Sequence, residues 1–238
     1  MNKISIIITY FNQPAILRKH LEYWKGLCND IKDNIEFIIV DDFSLDYKAE
    51  YVIKDVKDLD IKLYKLLENR GNNSHGCRNL GALVASNNWL LFTDIDHFIS
   101  KKTFTTLLDY RLNNEYYYTF SRIFSNGELV KMHLNSFLID REKYWGVGGY
   151  DEDFVSEIRP VDDSWFISLM NKSLFHNHLA ECFLEVWDNK DISDAVTVKN
   201  ETVKQAKIKF EDIINKKKNG ELDYYPTKPV RFKWKRVI

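Results

Sequence analysis

Asp94 and Asp96 stand one residue apart, directly after the apolar run WLLFT at 89–93. In extended backbone, side chains two apart point the same way, so both carboxylates can face one divalent cation. Carboxylate oxygens suit Mg²⁺ or Mn²⁺, which take their remaining ligands from phosphate oxygens. Asp41 and Asp42 close a second apolar run, IEFIIV. Acidic residues at a strand end can accept hydrogen bonds from a base or ribose. Asp42, Ser44 or Asp46 can equally cap a following helix, and both roles can coexist. Arg70 and Arg78 accompany Gly71, Gly76 and Gly81, a pairing of close backbone approach with a cation apt for pyrophosphate. Gly148-Gly149 precedes YDEDF, and Asp162-Asp163 follows at a helix start, where a carboxylate could act as a general base. A glycine turn with a capped helix is the plainer alternative there.

These residues need elements to hold them. Lys3–Thr9 is a β-branched apolar run that predicts a strand buried on both faces. Pro14 then opens a helix with Ile16, Leu17, His20, Leu21 and Trp24 on one side. A second strand is expected over 35–40, a helix over about 47–57, a third strand over 61–66, a helix near 75–86 and a fourth strand over 89–93. The β-α-β-α-β-α-β order predicts right-handed crossovers and a parallel sheet covered by helices. Ligands of such sheets bind at the carboxyl ends of the strands, here Tyr10–Asn12, Asp41-Asp42 and Asp94-Ile95-Asp96. Further strands are expected at 116–120, 135–139 and 182–187, with Asn126-Gly127 as a hairpin turn. Helices are expected at 141–147, 162–171 and 198–218, the last with Val203, Ala206, Phe210, Ile213 and Ile214 on one face.

The 238 residues suit one α/β domain with a tail. Hydrophobic residues at 45% and charged residues at 29% exclude disorder as the main state. Cys28, Cys77 and Cys182 show no CxxC or zinc spacing, which predicts free thiols in a reducing compartment. No run of 18 apolar residues predicts a membrane span, and MNKISIIITYFNQP reads as a strand and not a signal peptide. The net charge of −1 conceals a split: residues 199–238 carry 12 Lys/Arg against 5 Asp/Glu, a net +7, leaving residues 1–198 at −8.

Taken in order, the motifs resemble a known family. ISIIITYFNQPAILRKHLEYW resembles the opening strand and first helix of family 2 glycosyltransferases of the GT-A fold. IIVDDFSLD resembles that family's VDDxSxD segment, and ENRGNNSHGCRNLGALVASNNWLLFTDID its N-x-G, R-N-x-G and D-x-D stretch. GVGGYDEDF followed by VDDSW resembles its GG-[FY]-DE and ED elements. The match runs over about residues 3–170.

The resemblance implies a mainly parallel central sheet flanked by helices, with a helical C-terminal extension. It implies a glycosyltransferase domain over 1–198, its nucleotide-binding half at 1–100 and acceptor half at 101–198, and an amphipathic helix with a basic-aromatic tail over 199–238. Its expected reaction is metal-dependent, inverting transfer of a sugar from a nucleotide diphosphate sugar, UDP-linked, to a hydroxyl of a glycan, glycolipid or cell-surface polymer. Thr9, Tyr10, Asn12, Arg70, Arg78, Asp94, Ile95, Gly148 and Gly149 would line the donor. Asp41 or Asp42 would contact the uracil or ribose. Asp96 with Asp94 would hold Mn²⁺ or Mg²⁺, and Asp188 is the candidate third ligand, because His176 and His178 fall early for the family's late metal histidine. Asp163, with Asp162 beside it, would be the catalytic base. His97 is expected to be structural or a wall of the site, and His133 to line the acceptor side or pack in the core.

The processive signature Q-x-x-R-W is absent after Asp163, where the helix reads WFISLMNKS, which argues against a polymer-extruding synthase. A nucleotidyltransferase would want a Gly-rich basic loop after the first strand, and TYFNQPAILRK lacks one. A nucleotide-sugar-binding module without catalysis would tolerate loss of Asp163. The tail 228–238, with Lys228, Arg231, Lys233, Lys235 and Arg236 around Phe232 and Trp234, could touch an anionic membrane surface, bind nucleic acid or pack on its own acidic body. An acidic body disfavours nucleic acid. The expected location is cytoplasmic, peripheral to the membrane if the tail binds lipid.

Overall fold

The computed structural model describes residues 1–155, 163–187, 200–226 and 229–238, and of residues 163, 200–204 and 206 the backbone alone. The first half alternates as expected: β1 (Ile4–Tyr10), α1 (Pro14–Lys25), a short α2 (Asn29–Lys32), β2 (Ile35–Asp41), α3 (Ala49–Ile53), β3 (Ile61–Leu66), α4 (Ser74–Val84) and β4 (Trp89–Thr93). β1 pairs in parallel with β2 on one side and β4 on the other, and β2 pairs in parallel with β3. The second half holds β5 (His97–Ile99), α5 (Lys101–Asp109), β6 (Tyr116–Phe124), β7 (Leu129–Val130), β8 (Phe137–Asp140), α6 (Arg141–Gly146), a 3-10 turn (Glu152–Phe154), α7 (Asp163–Ser173) and β9 (Phe175–Val186). α8 (Asn200–Lys218) and β10 (Trp234–Arg236) complete the described elements. The strands form one sheet in the order β10-β3-β2-β1-β4-β8-β6-β9-β5, with β7 hydrogen-bonded to β6.

The β-branched run of β1 serves two cores. Ile4, Ile6, Ile8 and Tyr10 face one side of the sheet, with the stripe Ile16, Leu17, Leu21 and Trp24 of α1. Ile7 faces the other, with Leu80 and Ala82 of α4. That is the two-residue alternation of a strand covered on both faces. Trp24 stacks on Phe37 of β2 at 4.0 Å between ring centres. α4 lies against β1 so closely that a Cβ on Gly81 would stand 2.4 Å from Ile7 Cγ2, so glycine there permits the packing.

Three expectations are corrected. The helix expected over 47–57 spans only Ala49–Ile53. It has no side-chain cap of its own, and Asp41, not Asp42, Ser44 or Asp46, accepts the Ala49 N–H at 3.0 Å. The strand expected over 182–187 begins at Phe175. Its first half is polar and largely exposed, so it lacks apolar alternation, and it is a strand because β6 pairs with it. A register shift between Phe120 and Ser121 then lets the end of β9 pair with β5. The basic tail, for which packing on its own body was one of the alternatives left open, adds β10 antiparallel to the sheet edge at β3 and buries Phe232. The proposed boundary at 198/199 and Lys228 lie outside the described residues.

Candidate active site

The carboxyl ends of β2, β1 and β4 bring the predicted carboxylates to one rim of the sheet. Tyr10 pairs with Asp41 across β1 and β2, and Ile8 with Thr93 across β1 and β4. The two aspartates after β2 differ sharply. Asp41 is spent on backbone: its Oδ1 accepts from Ser44 N at 2.8 Å and its Oδ2 from Ala49 N. Asp42 accepts from Asn73 N at 2.8 Å through Oδ2, while its Oδ1 is buried without a hydrogen-bond partner. Burial raises the Asp42 carboxyl to about 7, against the Asn73 bond, and the neighbouring charge of Asp41 adds to the rise. Of the two, Asp42 has the acceptor to spare. Tyr10 is buried with its hydroxyl donating to Tyr47 O. Asn12 takes a left-handed conformation, φ 49°, and ties its loop to the next: its N–H donates to Ser44 Oγ at 3.0 Å and its Oδ1 accepts from Tyr47 N at 3.3 Å. Thr9 is half-buried at the end of β1.

After β4 the chain turns through Asp94-Ile95-Asp96 into β5. Arg78, projecting from α4 and 2% exposed, reaches Asp94 Oδ1 at 2.6 Å and lies over the Tyr150 ring at 5.1 Å. His133, on the loop between β7 and β8, stands with Nε2 3.5 Å from Asp94 Oδ2. Asp96 Oδ1 lies 3.0 Å from His97 Nδ1. Burial opposes the charge on Asp96, but His97, His133 and Arg122 outweigh it and draw its pKa below the ordinary carboxylate value. Burial likewise lowers the His133 pKa, against the pull of Asp94. The turn is held from behind. His20 of α1 contacts Ile95 O at 2.7 Å through Nε2, and Trp187 N donates to Asp96 O at 3.1 Å. Burial lowers the His20 pKa to about 4, so its ring is neutral at pH 7 and Nε2–H is the donor.

Asp94, His97 and His133 each offer a ligand atom, and the three atoms lie within 4.8 Å of one another. The Nε2 of His97, a residue 1% exposed, is buried without a hydrogen-bond partner, while its Nδ1 faces Asp96. Leaving buried polar atoms unpaired costs about 1–3 kcal/mol each, so this donor set fits a divalent cation.

The Gly148-Gly149 loop is positioned by Asn79, the residue after Arg78. Asn79 Nδ2 donates to Tyr150 O at 2.8 Å and Glu152 Oε1 at 2.9 Å, and its Oδ1 accepts from the Tyr144 hydroxyl at 2.6 Å and Tyr150 N at 2.9 Å. Gly149 has φ +69°, and a Cβ there would meet Asn79 Oδ1 at 2.8 Å. The acidic residues after it are engaged by the tail. Lys217, its side chain fully buried, pairs with Asp151 at 2.7 Å and Asp153 at 2.9 Å. Arg231 pairs with Asp153 at 2.6 Å, and its N–H donates to Glu152 Oε2 at 2.9 Å. Arg70, expected at the donor, instead donates to Arg231 O at 2.6 Å.

The structure thus gathers Thr9, Tyr10, Asn12, Asp41, Asp42, Arg78, Asp94, Ile95 and Asp96 on one rim. Arg70 lies against the tail strand, and Gly148 passes under Pro226, 2.9 Å from where its Cβ would be. Asp163 opens α7 and its side chain is not described, while Asp162 and Asp188 lie outside the described residues. Sequence reasoning gave His20, Asn79, Glu152 and Lys217 no role at the site. His20 hides in an apolar helical stripe, and the others act through partners more than sixty residues away.

A parallel β-α half carrying nucleotide-type carboxylates, followed by a half of mixed parallel and antiparallel pairing, defines a GT-A-type fold. Similar solved structures include S. aureus TarS 1–349 in complex with UDP-GlcNAc, with a TM-score of 0.63 at 19% identity, covering 90% of this chain and 67% of that one. Another is the mannosyltransferase PcManGT from Pyrobaculum calidifontis in complex with GDP-Man and Mn²⁺, with a TM-score of 0.59 at 14% identity, covering 77% and 56%. The description Glycosyl transferase family 2 matches residues 5–179, and the chain belongs to that family. Curated relatives include a GalNAc(5)-diNAcBac-PP-undecaprenol beta-1,3-glucosyltransferase of Campylobacter jejuni, 30% identical over 133 residues, 55% of this chain and 42% of that protein. An uncharacterized glycosyltransferase of Haemophilus influenzae is 30% identical over 115 residues, 48% and 44%. The chain thus spans less than half the length of these two relatives. No described helix is long and apolar enough to cross a membrane.

Proposed function

We propose that this chain transfers a sugar from a UDP-linked donor to a hydroxyl of a glycan, glycolipid or cell-surface polymer, with inversion at the anomeric carbon. The observation that carries the reading is the unpaired, buried Oδ1 of Asp42 on the same rim as Arg78, Asp94 and Asp96. A uracil imide N–H is a donor matched to that oxygen, and the rim offers cation and carboxylate for the rest of the nucleotide. Tyr10 and Asn12 shape the base side by fixing the 42–47 loop. Arg78, held over Tyr150, places a guanidinium where a diphosphate would lie. A divalent cation, Mn²⁺ or Mg²⁺, held at the Asp94–Asp96 turn would supply charge neutralisation for the departing diphosphate.

Asp163, at the first turn of α7, acts as the general base. It takes the acceptor hydroxyl proton as that oxygen attacks the anomeric carbon on the face opposite the nucleotide. One displacement inverts the centre, by the logic of inverting glycosidases, where a carboxylate activates the nucleophile opposite the leaving group. Asn79 keeps the Gly148-Gly149 loop closed over the donor side. The exposed basic residues of the tail strand, Lys233, Lys235 and Arg236, favour a lipid-linked or anionic acceptor surface. UDP release on incubation with UDP-sugars and a glycan or lipid-linked acceptor tests the reading. Turnover that persists unchanged in both Asp96→Asn and Asp163→Asn would overturn the assigned roles.

A further inference from the structure

The turn after β4 carries more ligating chemistry than a pair of aspartates. We propose that Asp94, His97 and His133 form a carboxylate–imidazole site that binds Mn²⁺ in preference to Mg²⁺, and that Asp96 orients His97. The proposal rests on the assignment of this corner to a metal-assisted transferase and specifies its ligands.

Three observations carry it. First, Asp94 and His97 flank one turn and His133 comes from a loop 36 residues further on, yet their ligand atoms lie within 4.8 Å of one another. His133 Nε2 and Asp94 Oδ2 are 3.5 Å apart. Two donors each about 2.1 Å from one ion stand roughly 3.0–3.4 Å apart at octahedral or tetrahedral angles, so the His133–Asp94 pair is close to its bound spacing and the site closes by drawing the remaining donor inward. The second Asp94 oxygen remains on Arg78, which fixes the carboxylate so that Oδ2 is the one presented.

Second, His97 is buried and its Nε2 has no hydrogen-bond partner. Its position is fixed by the β5–β9 ladder, where it pairs with Val186. That Nε2 nitrogen has lost its water and gained nothing in exchange, which is unfavourable unless a ligand completes it.

Third, Asp96 Oδ1 stands 3.0 Å from His97 Nδ1. A ligating histidine commonly gives its other ring N–H to a carboxylate, which sets the tautomer and the ring orientation. In that arrangement Nδ1 faces Asp96 and Nε2 is the ligand. The two aspartates of the D-x-D then have different jobs, one ligating and one orienting. Trp187 N holds the Asp96 backbone through its carbonyl, which keeps the orienting carboxylate in place. Two imidazoles and one carboxylate leave coordination positions open for diphosphate oxygens. Imidazole nitrogen favours transition-metal ions over Mg²⁺, which prefers oxygen and gives up water reluctantly.

The test is Mn²⁺ binding to the full chain without nucleotide, read by isothermal calorimetry and by pulsed electron paramagnetic resonance on protein with ¹⁴N- or ¹⁵N-histidine. The expected result is nitrogen coupling that changes with the isotope, and Mn²⁺ affinity at least about tenfold above that for Mg²⁺. His133→Asn, at a half-exposed position, loses one nitrogen coupling and lowers Mn²⁺ affinity about tenfold or more. Asp96→Asn keeps both couplings and lowers affinity about 10–100-fold, as loss of an outer-shell partner does. Mn²⁺ bound without nitrogen coupling, or not bound at all, overturns the proposal, as does a His133→Asn protein with wild-type coupling and affinity. UDP-sugar turnover is measured separately. Turnover with no nitrogen coupling leaves the transferase standing and removes this site, whereas nitrogen-coupled Mn²⁺ in a protein that neither binds nor consumes nucleotide sugars keeps the site and removes the transferase.

Discussion

Two acidic clusters in this molecule have opposite fates. At Asp151–Asp153, three successive carboxylates are paired by the chain itself, through Lys217, Arg231 and the backbone N–H groups of Val230 and Arg231. At Asp94–Asp96, the carboxylates meet Arg78 and two histidines, and the Nε2 of His97 remains unpaired. Charge count alone does not separate the two. What separates them is how completely the chain's own groups take up the carboxylate oxygens. At Asp151–Asp153 two cations and backbone N–H groups engage all three acids, which stabilise the scaffold. At Asp94–Asp96 one guanidinium takes one oxygen of Asp94 and imidazoles face the rest, which leaves these acids for a ligand.

The sharpest way to break this contrast is to exchange the outcomes. Lys217→Met leaves Asp151, 1% exposed, as a buried charge without its ammonium. Removing one partner of a buried pair costs about 3–5 kcal/mol, so the denaturation midpoint should fall steeply. Asp94→Asn should do the reverse. The amide can still accept from Arg78, so the melting temperature should hold, while transferase turnover drops about 10²–10³-fold as a charge-stabilising group is lost. An Asp94→Asn protein that unfolds like Lys217→Met but turns over normally would erase the distinction.

Asp42 refines the comparison, because it is an acid with neither a cation nor an imidazole against it. Its pKa, raised from 3.8 to about 7, means that the folded state holds its proton more tightly than the unfolded chain. Stability therefore declines as pH rises from about 4 through 7, by the linkage of proton uptake to folding. Only the ionised form offers both oxygens as acceptors, so UDP-sugar affinity should rise about tenfold between pH 6 and 8, following the ionised fraction. Asp42→Asn should flatten that rise, and calorimetry at the two pH values measures it. The smallest expected effect lies on the tail strand. Trp234 meets Tyr64 edge-on at 5.7 Å, and Trp234→Ala should cost about 0.5–1 kcal/mol of stability with turnover retained.

The β-α half was legible in the sequence because each apolar run is short, β-branched and bounded by Asn, Asp or Pro. β1, β3 and β4 lie within a residue of their expected bounds, since local pattern and burial agree there. The elements that escaped are those whose structure comes from a partner. The first half of β9 is a polar strand made by pairing with β6. The segment running into β10 alternates Phe232 and Trp234 with Lys233 and Lys235, a strand-like pattern, but the basic charge drew attention to binding instead.

The sequence by itself determined the parallel sheet, the order of the motifs and the placing of Asp42, Asp94 and Asp96 after buried strands, because hydrophobic periodicity and strand-end position are local properties. Only the tertiary structure decided which acids are free. Asp41 is consumed by the backbone of its own loop, Asp151–Asp153 by residues of α8 and the tail, and Arg70 by the tail strand it was not expected to touch. His133 reaches Asp94 across 39 positions of chain. Such partnerships depend on how the sheet edges close and where the last residues return, and no spacing along the chain encodes that.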